Sequence, residues 1–105
     1  MEELKKALFT APKNGYATLT EEQRAEMESY CKRYMAFMDA AKTEREAVSA
    51  AIKMAEENGF CEFDNTKKYS AGDKVYINNR GKALALAVIG QEPVEKGTRI
   101  AAAHI

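Results

Sequence analysis

His104 is the single histidine in a chain of 105 residues, and Cys31 and Cys61 are its only cysteines. These are the side chains able to ligate a transition metal or attack a carbonyl near neutral pH. Their number and spacing exclude most of that chemistry. A catalytic zinc takes three protein ligands and an open position, so one imidazole cannot hold it. The two cysteines lack the paired spacing of a zinc knuckle and are too few for a disulfide scaffold, so they read as reduced thiols packed as small hydrophobes. There is no Gly-rich phosphate loop, no serine in a nucleophile elbow and no second histidine. No catalytic residue is assigned on this basis. Acidic residues are plentiful, but their spacing, as in Arg24 with Glu28, suits solvated ion pairs on helix faces.

His104 stands apart because of its place in the run Ala101-Ala102-Ala103-His104-Ile105. The segment from Thr98 to Ile105 reads as a buried strand. An imidazole there is either a satisfied core histidine or a ligand pointing into the crevice beyond the sheet, where metals are often bound. The chain ends while still apolar, whereas a terminal segment is usually polar and frayed. A fragment of a larger protein is therefore expected, with the neighbours of His104 missing.

The elements that must position this residue follow from pattern. Met1 to Leu19 begins with a short helical pattern and breaks at Pro12, Asn14 and Gly15, so residues 1–19 read as an arm. Thr20 with Gln23 can satisfy two orphan amides reciprocally, which opens a helix with an acidic first turn. Along it Met27, Tyr30, Cys31, Tyr34, Met35 and Met38 form one apolar stripe, read as core. Thr43 and Glu46 make a second capping box, with Ala47, Val48, Ala51, Ile52 and Ala55 as the apolar face of the next helix. Asn58-Gly59 ends it. Residues 20–59 are thus a helical pair. Beyond Gly59 the period becomes strand-like: a short strand near Phe60 and Glu62, a polar turn at Asp64-Asn65, and a strand from Lys74 to Asn78. A tight turn at Asn79-Arg80-Gly81 leads to a return strand, Ala83 to Ile89, expected to be covered on both faces. Residues 60–105 are the sheet portion. The expected fold is α+β, two N-terminal helices followed by three or four mostly antiparallel strands.

Sixteen Lys and Arg balance sixteen Asp and Glu. No basic field exists to hold nucleic acid or an anionic membrane, so neither is an expected partner. No apolar stretch approaches the ~20 residues that span a bilayer, and the N-terminus lacks the apolar core of a secretion signal. A cytoplasmic location is the default expectation.

Three segments in order, FMDAAKTEREAVSAAIKMAEENGF, GDKVYINNRGKALALAVIG and EKGTRIAAAHI, resemble the N-terminal part of the aspartyl aminopeptidase and vacuolar aminopeptidase family, metallopeptidase family eighteen. The most specific pieces are the Ala41-Lys42-Thr43-Glu44-Arg45-Glu46 helix start, the Asn79-Arg80-Gly81-Lys82 turn and Ala103-His104-Ile105. The resemblance implies a fragment, over residues 1–105, of the α/β catalytic domain of a zinc peptidase with two metal ions. It also implies peptide substrates and assembly of the complete enzyme into a dodecamer. The family's Ala-His-x-Asp motif supplies a zinc-binding histidine, which His104 matches. The Asp of that motif lies beyond Ile105, as do the bridging carboxylate, the general base and the remaining ligands. The implied reaction is removal of N-terminal residues from peptides by a metal-activated water, and the chain alone is expected to be inactive. The competing reading is a stand-alone protein-interaction module that keeps the family scaffold without catalysis.

Overall fold

The computed structural model describes residues Met1 to Ile105. They fall into two compact units, Met1–Met35 and Ala36–Ile105.

In the first unit a helix, α1 (Glu2–Leu8), is followed by a 3-10 turn at Gly15–Thr18, where the Asn14 side chain accepts from the Tyr16 amide. A long helix, α2 (Glu21–Ala40), begins in this unit and continues to the start of the second. Its opening is the box expected from the sequence: the Thr20 amide donates to Gln23 Oε1 at 2.9 Å and the Gln23 amide to Thr20 Oγ1 at 3.2 Å. Two orphan donors are thereby satisfied. The Arg24 guanidinium lies 4.8 Å from the centroid of the Tyr16 ring, a cation–π contact that ties the 3-10 turn to the helix. The apolar stripe of α2 is not core. No residue of α2 is buried, and Tyr30 and Tyr34 are 63% and 55% exposed. Within Met1–Met35 the other elements are one short helix and one 3-10 turn, too little apolar surface to cover it. Cys31 is exposed as well, as is Cys61 in the second unit, so neither thiol packs as a buried hydrophobe.

The second unit carries the core. Helix α3 (Glu44–Glu57) starts with a complete capping box: Thr43 Oγ1 accepts from the Glu46 amide, and Glu46 Oε2 accepts from the Thr43 amide at 3.0 Å. Gly59, at φ +84°, closes the far end in a conformation a side chain would strain. Three strands follow, β1 (Cys61–Glu62), β2 (Lys74–Asn79) and β3 (Ala83–Val88), in the order β1-β2-β3. The ladder of β2 and β3 is antiparallel and runs from Lys74↔Val88 to Asn79↔Ala83. The shorter pairing of β1 with β2 is parallel, which makes the sheet mixed.

Arg80 and Gly81 both take positive φ, +59° and +68°, as a primed hairpin turn requires. The Gly81 amide is held by Asn78 Oδ1 at 2.8 Å, and Arg45 of α3 donates to the Arg80 carbonyl at 3.3 Å. Helix α3 packs on β2 and β3. The buried apolar residues are Ala47, Val48 and Ala55 from α3 with Val75 and Tyr76 from β2.

Two strand expectations are corrected. The return strand exists, but it is not covered on both faces: Leu86 is 50% and Val88 59% exposed. It lies at the sheet edge, where one small helix cannot span both faces. Thr98 to Ile105 is not a buried strand. It is exposed, has no regular structure and makes no backbone–backbone hydrogen bond. A strand pattern becomes a strand only where a neighbour supplies the ladder.

Candidate functional site

A 3-10 turn at Val94–Lys96 leads toward His104, with the Lys96 ammonium paired to Glu92 one turn back. Gly97 follows at φ +108°, and the chain then runs without regular structure through Arg99 and Ile100. His104 lies in this exposed stretch, with its Nδ1 2.7 Å from the Ile105 carbonyl oxygen. The residue is neither a satisfied core histidine nor held at a strand end.

No group of three or more His, Cys, Asp or Glu side chains converges anywhere in the chain. His104 is chemically suited to zinc, but one donor does not make the three-ligand site that zinc catalysis needs. The residues present therefore do not fit a resident catalytic metal, and no reaction step can be assigned to one within this chain.

A polar hollow lies elsewhere in the second unit, lined by Glu62, Phe63, Asp64, Asn65 and Lys67. Its walls are built by local bonds. Asp64 Oδ1 accepts from the Thr66 hydroxyl at 2.6 Å and the Thr66 amide at 2.9 Å, which holds the Asp64 carboxyl below its usual range. Tyr69 donates its hydroxyl to the Asp64 carbonyl, accepts from the Asp64 amide and stacks on Phe63 with centroids 5.4 Å apart. Asp64 is thus committed to its own turn. The sequence marks this stretch as a polar turn, and nothing in its local pattern announces the Phe63–Tyr69 stack.

Two further polar contacts escape a local reading. Tyr76 is 7% exposed and donates its hydroxyl to Glu56 of α3 at 2.9 Å; that bond, aided by burial, raises the Tyr76 pKa. Lys74 reaches the Asn58 carbonyl at 3.0 Å and lies 5.7 Å from the Phe60 ring centroid. Both fasten the helix and its exit to the sheet rather than framing a ligand.

This arrangement of a capped helix, a hairpin and an irregular apolar segment matches known proteins over most of its length. Residues 37–105 match the family described as Aminopeptidase I zinc metalloprotease (M18). Curated relatives agree. A probable M18 family aminopeptidase 1 of Clostridium acetobutylicum is 38% identical over 97 residues, covering 89% of this chain and 21% of its own length. One from Borrelia garinii subsp. bavariensis is 33% identical over 91 residues, covering 87% and 20%. Among solved structures, aminopeptidase I from Borrelia burgdorferi B31 superposes with a TM-score of 0.76 at 33% identity, covering 81% of this chain and 21% of that one. The chain belongs to this family of zinc metallopeptidases. It spans about a fifth of the length of the curated relatives it matches.

Proposed function

We propose that this chain is the N-terminal portion of a zinc aminopeptidase, and that His104 is one of the ligands of its metal centre. The family match through residue 105 carries this reading, because it places His104 inside the matched segment. In the complete enzyme His104 would hold one of two zinc ions, whose chemistry there would be to supply a metal-activated water for hydrolysis of the N-terminal peptide bond of a peptide. The remaining ligands and the general base belong to the four-fifths of the relatives' length that this chain does not span, so the chain alone is inactive. Assembly of the complete enzyme into a dodecamer and a cytoplasmic location complete the proposal; no helix here is long and apolar enough to cross a membrane.

The test is a chimera in which residues 37–105 replace the matching segment of the Borrelia burgdorferi enzyme. Zinc-dependent release of N-terminal residues from a peptide is the expected result. A chimera that folds but hydrolyses no peptide, beside an active parent, overturns the reading. The exposed tyrosines of α2 favour a second reading, an interaction module without catalysis. Its mark would be that folded, inactive chimera.

A further inference from the structure

Asn-Gly is the dipeptide whose side-chain amide is most open to attack by the next backbone nitrogen, because glycine has no Cβ to shield that nitrogen. The chain has two such pairs, Asn14-Gly15 and Asn58-Gly59. All four residues are exposed, and a Cβ at either glycine would meet nothing within 4 Å. Hydrogen bonding separates them. At the end of α3, Asn58 Nδ2 donates to the Met54 carbonyl at 2.8 Å, and the amides of Asn58 and Gly59 donate to the Ala55 and Glu56 carbonyls at 3.0 Å each. The Lys74 ammonium donates to the Asn58 carbonyl at 3.0 Å. Nucleophile, electrophile and the peptide between them are all engaged. At the other pair the Gly15 amide has no acceptor; Asn14 Oδ1 accepts from the Tyr16 amide at 3.0 Å and the Asn14 carbonyl from the Ala17 amide at 3.1 Å.

We propose that Asn14-Gly15 is a site of spontaneous deamidation whose product releases the 3-10 turn from α2, and that the helix cap protects Asn58-Gly59. The Gly15 nitrogen, its proton lost to solvent base, bonds to Asn14 Cγ; the Cγ–Nδ2 bond breaks and ammonia leaves with a proton from water. Water then opens the five-membered imide, at the main-chain carbonyl to give isoaspartate or at the side-chain carbonyl to give aspartate. Both pairs must first turn about the asparagine Cα–C bond, since ψ of 115° at Asn14 and 14° at Asn58 keeps the glycine nitrogen away from Cγ. At Asn14 that rotation disturbs one exposed 3-10 turn of four residues; at Asn58 it undoes the cap of a 14-residue helix and its tie to β2. Isoaspartate adds a methylene to the main chain and a negative charge. The bonds that hold Tyr16 4.8 Å from the Arg24 guanidinium are then lost.

The proposal does not rest on the peptidase reading. The experiment ages the 105-residue chain in mildly alkaline buffer, folded and in urea, and follows both sites by mass spectrometry of tryptic peptides; cuts after Lys13, Arg24, Lys53 and Lys67 put them in separate peptides. In the folded chain Asn14 should convert at least about tenfold faster than Asn58, and in urea the two rates should converge. Lys74→Met, which removes the donor to Asn58 and keeps most of the stem, should speed Asn58 and leave Asn14 unchanged, with circular dichroism checking the fold. NMR contacts between the Tyr16 ring and the Arg24 side chain should disappear in the converted species. Equal rates in the folded chain overturn the proposal, as does a difference that persists undiminished in urea. Tyr16–Arg24 contacts that survive conversion overturn the release of the turn.

Discussion

His104 shows at the scale of one residue how chemistry and position separate. Its imidazole is of a type that ligates zinc, yet it is exposed and without a second ligand. We expect zinc titration of the isolated chain to show only weak binding, with His104→Ala changing it little; a tight site lost in the variant would mean that the chain carries a metal centre of its own. Asp64 and Tyr76 each carry a pH-dependent contribution to the stability of the second unit. Thr66 lowers the Asp64 pKa, so that contribution to stability is present above the unfolded carboxyl value and is lost as pH falls through the folded one. Glu56 raises the Tyr76 pKa; that contribution is complete below the ordinary phenol value and is lost as pH rises through the folded one. Urea denaturation against pH should therefore show Asp64→Asn flattening the acid limb and Tyr76→Phe the alkaline limb, and an effect on the opposite limb would refute the assignment.

Elements rest on caps, turns and a small core. Thr43→Ala should cost about 1 kcal/mol in urea denaturation, because it leaves the Glu46 amide without its acceptor. Val48→Ala should cost about 2 kcal/mol, since Val48 is the most deeply buried side chain at 1% exposure. Arg80→Asn should gain a few tenths of a kcal/mol, because Asn tolerates the positive φ that Arg adopts there and completes the preferred Asn-Gly pair.

These features were legible in the sequence because each is local: Thr20 with Gln23, Thr43 with Glu46, Asn58-Gly59 and Arg80-Gly81 signal over four residues or fewer. What depends on distant partners was not. The parallel pairing of Cys61 with Val75, the Glu56–Tyr76 bond and the exposure of Leu86 and Tyr30 depend on which elements meet. Thr98 to Ile105 has the composition of a strand and lacks the neighbour that would make it one. His104 was legible as a candidate from its place in the apolar run Ala101 to Ile105, but only the family motif favours a ligand over a core histidine, since no local pattern distinguishes the two.

The molecule as a whole buries little. Five apolar side chains, all in the second unit, form the core, whereas Ile100 and Ile105 are exposed along a segment with no backbone–backbone hydrogen bonds. Brief trypsin treatment should therefore cut after Lys96 or Arg99 before any bond within α3 or the β2–β3 hairpin, as mass spectrometry of the products would show. First cleavage at Lys53 would mean that α3 is the weaker part. The family's size relation fits this small core, since the same segment in the relatives belongs to chains about five times as long.

The most direct test of the central claim is the zinc content per subunit of the chimera carrying residues 37–105 in the Borrelia burgdorferi enzyme, with and without His104→Ala. The account predicts that the substitution abolishes bound zinc at one site and lowers peptide hydrolysis by at least about a hundredfold while the fold persists. Full zinc occupancy and undiminished hydrolysis in the His104→Ala chimera would contradict it.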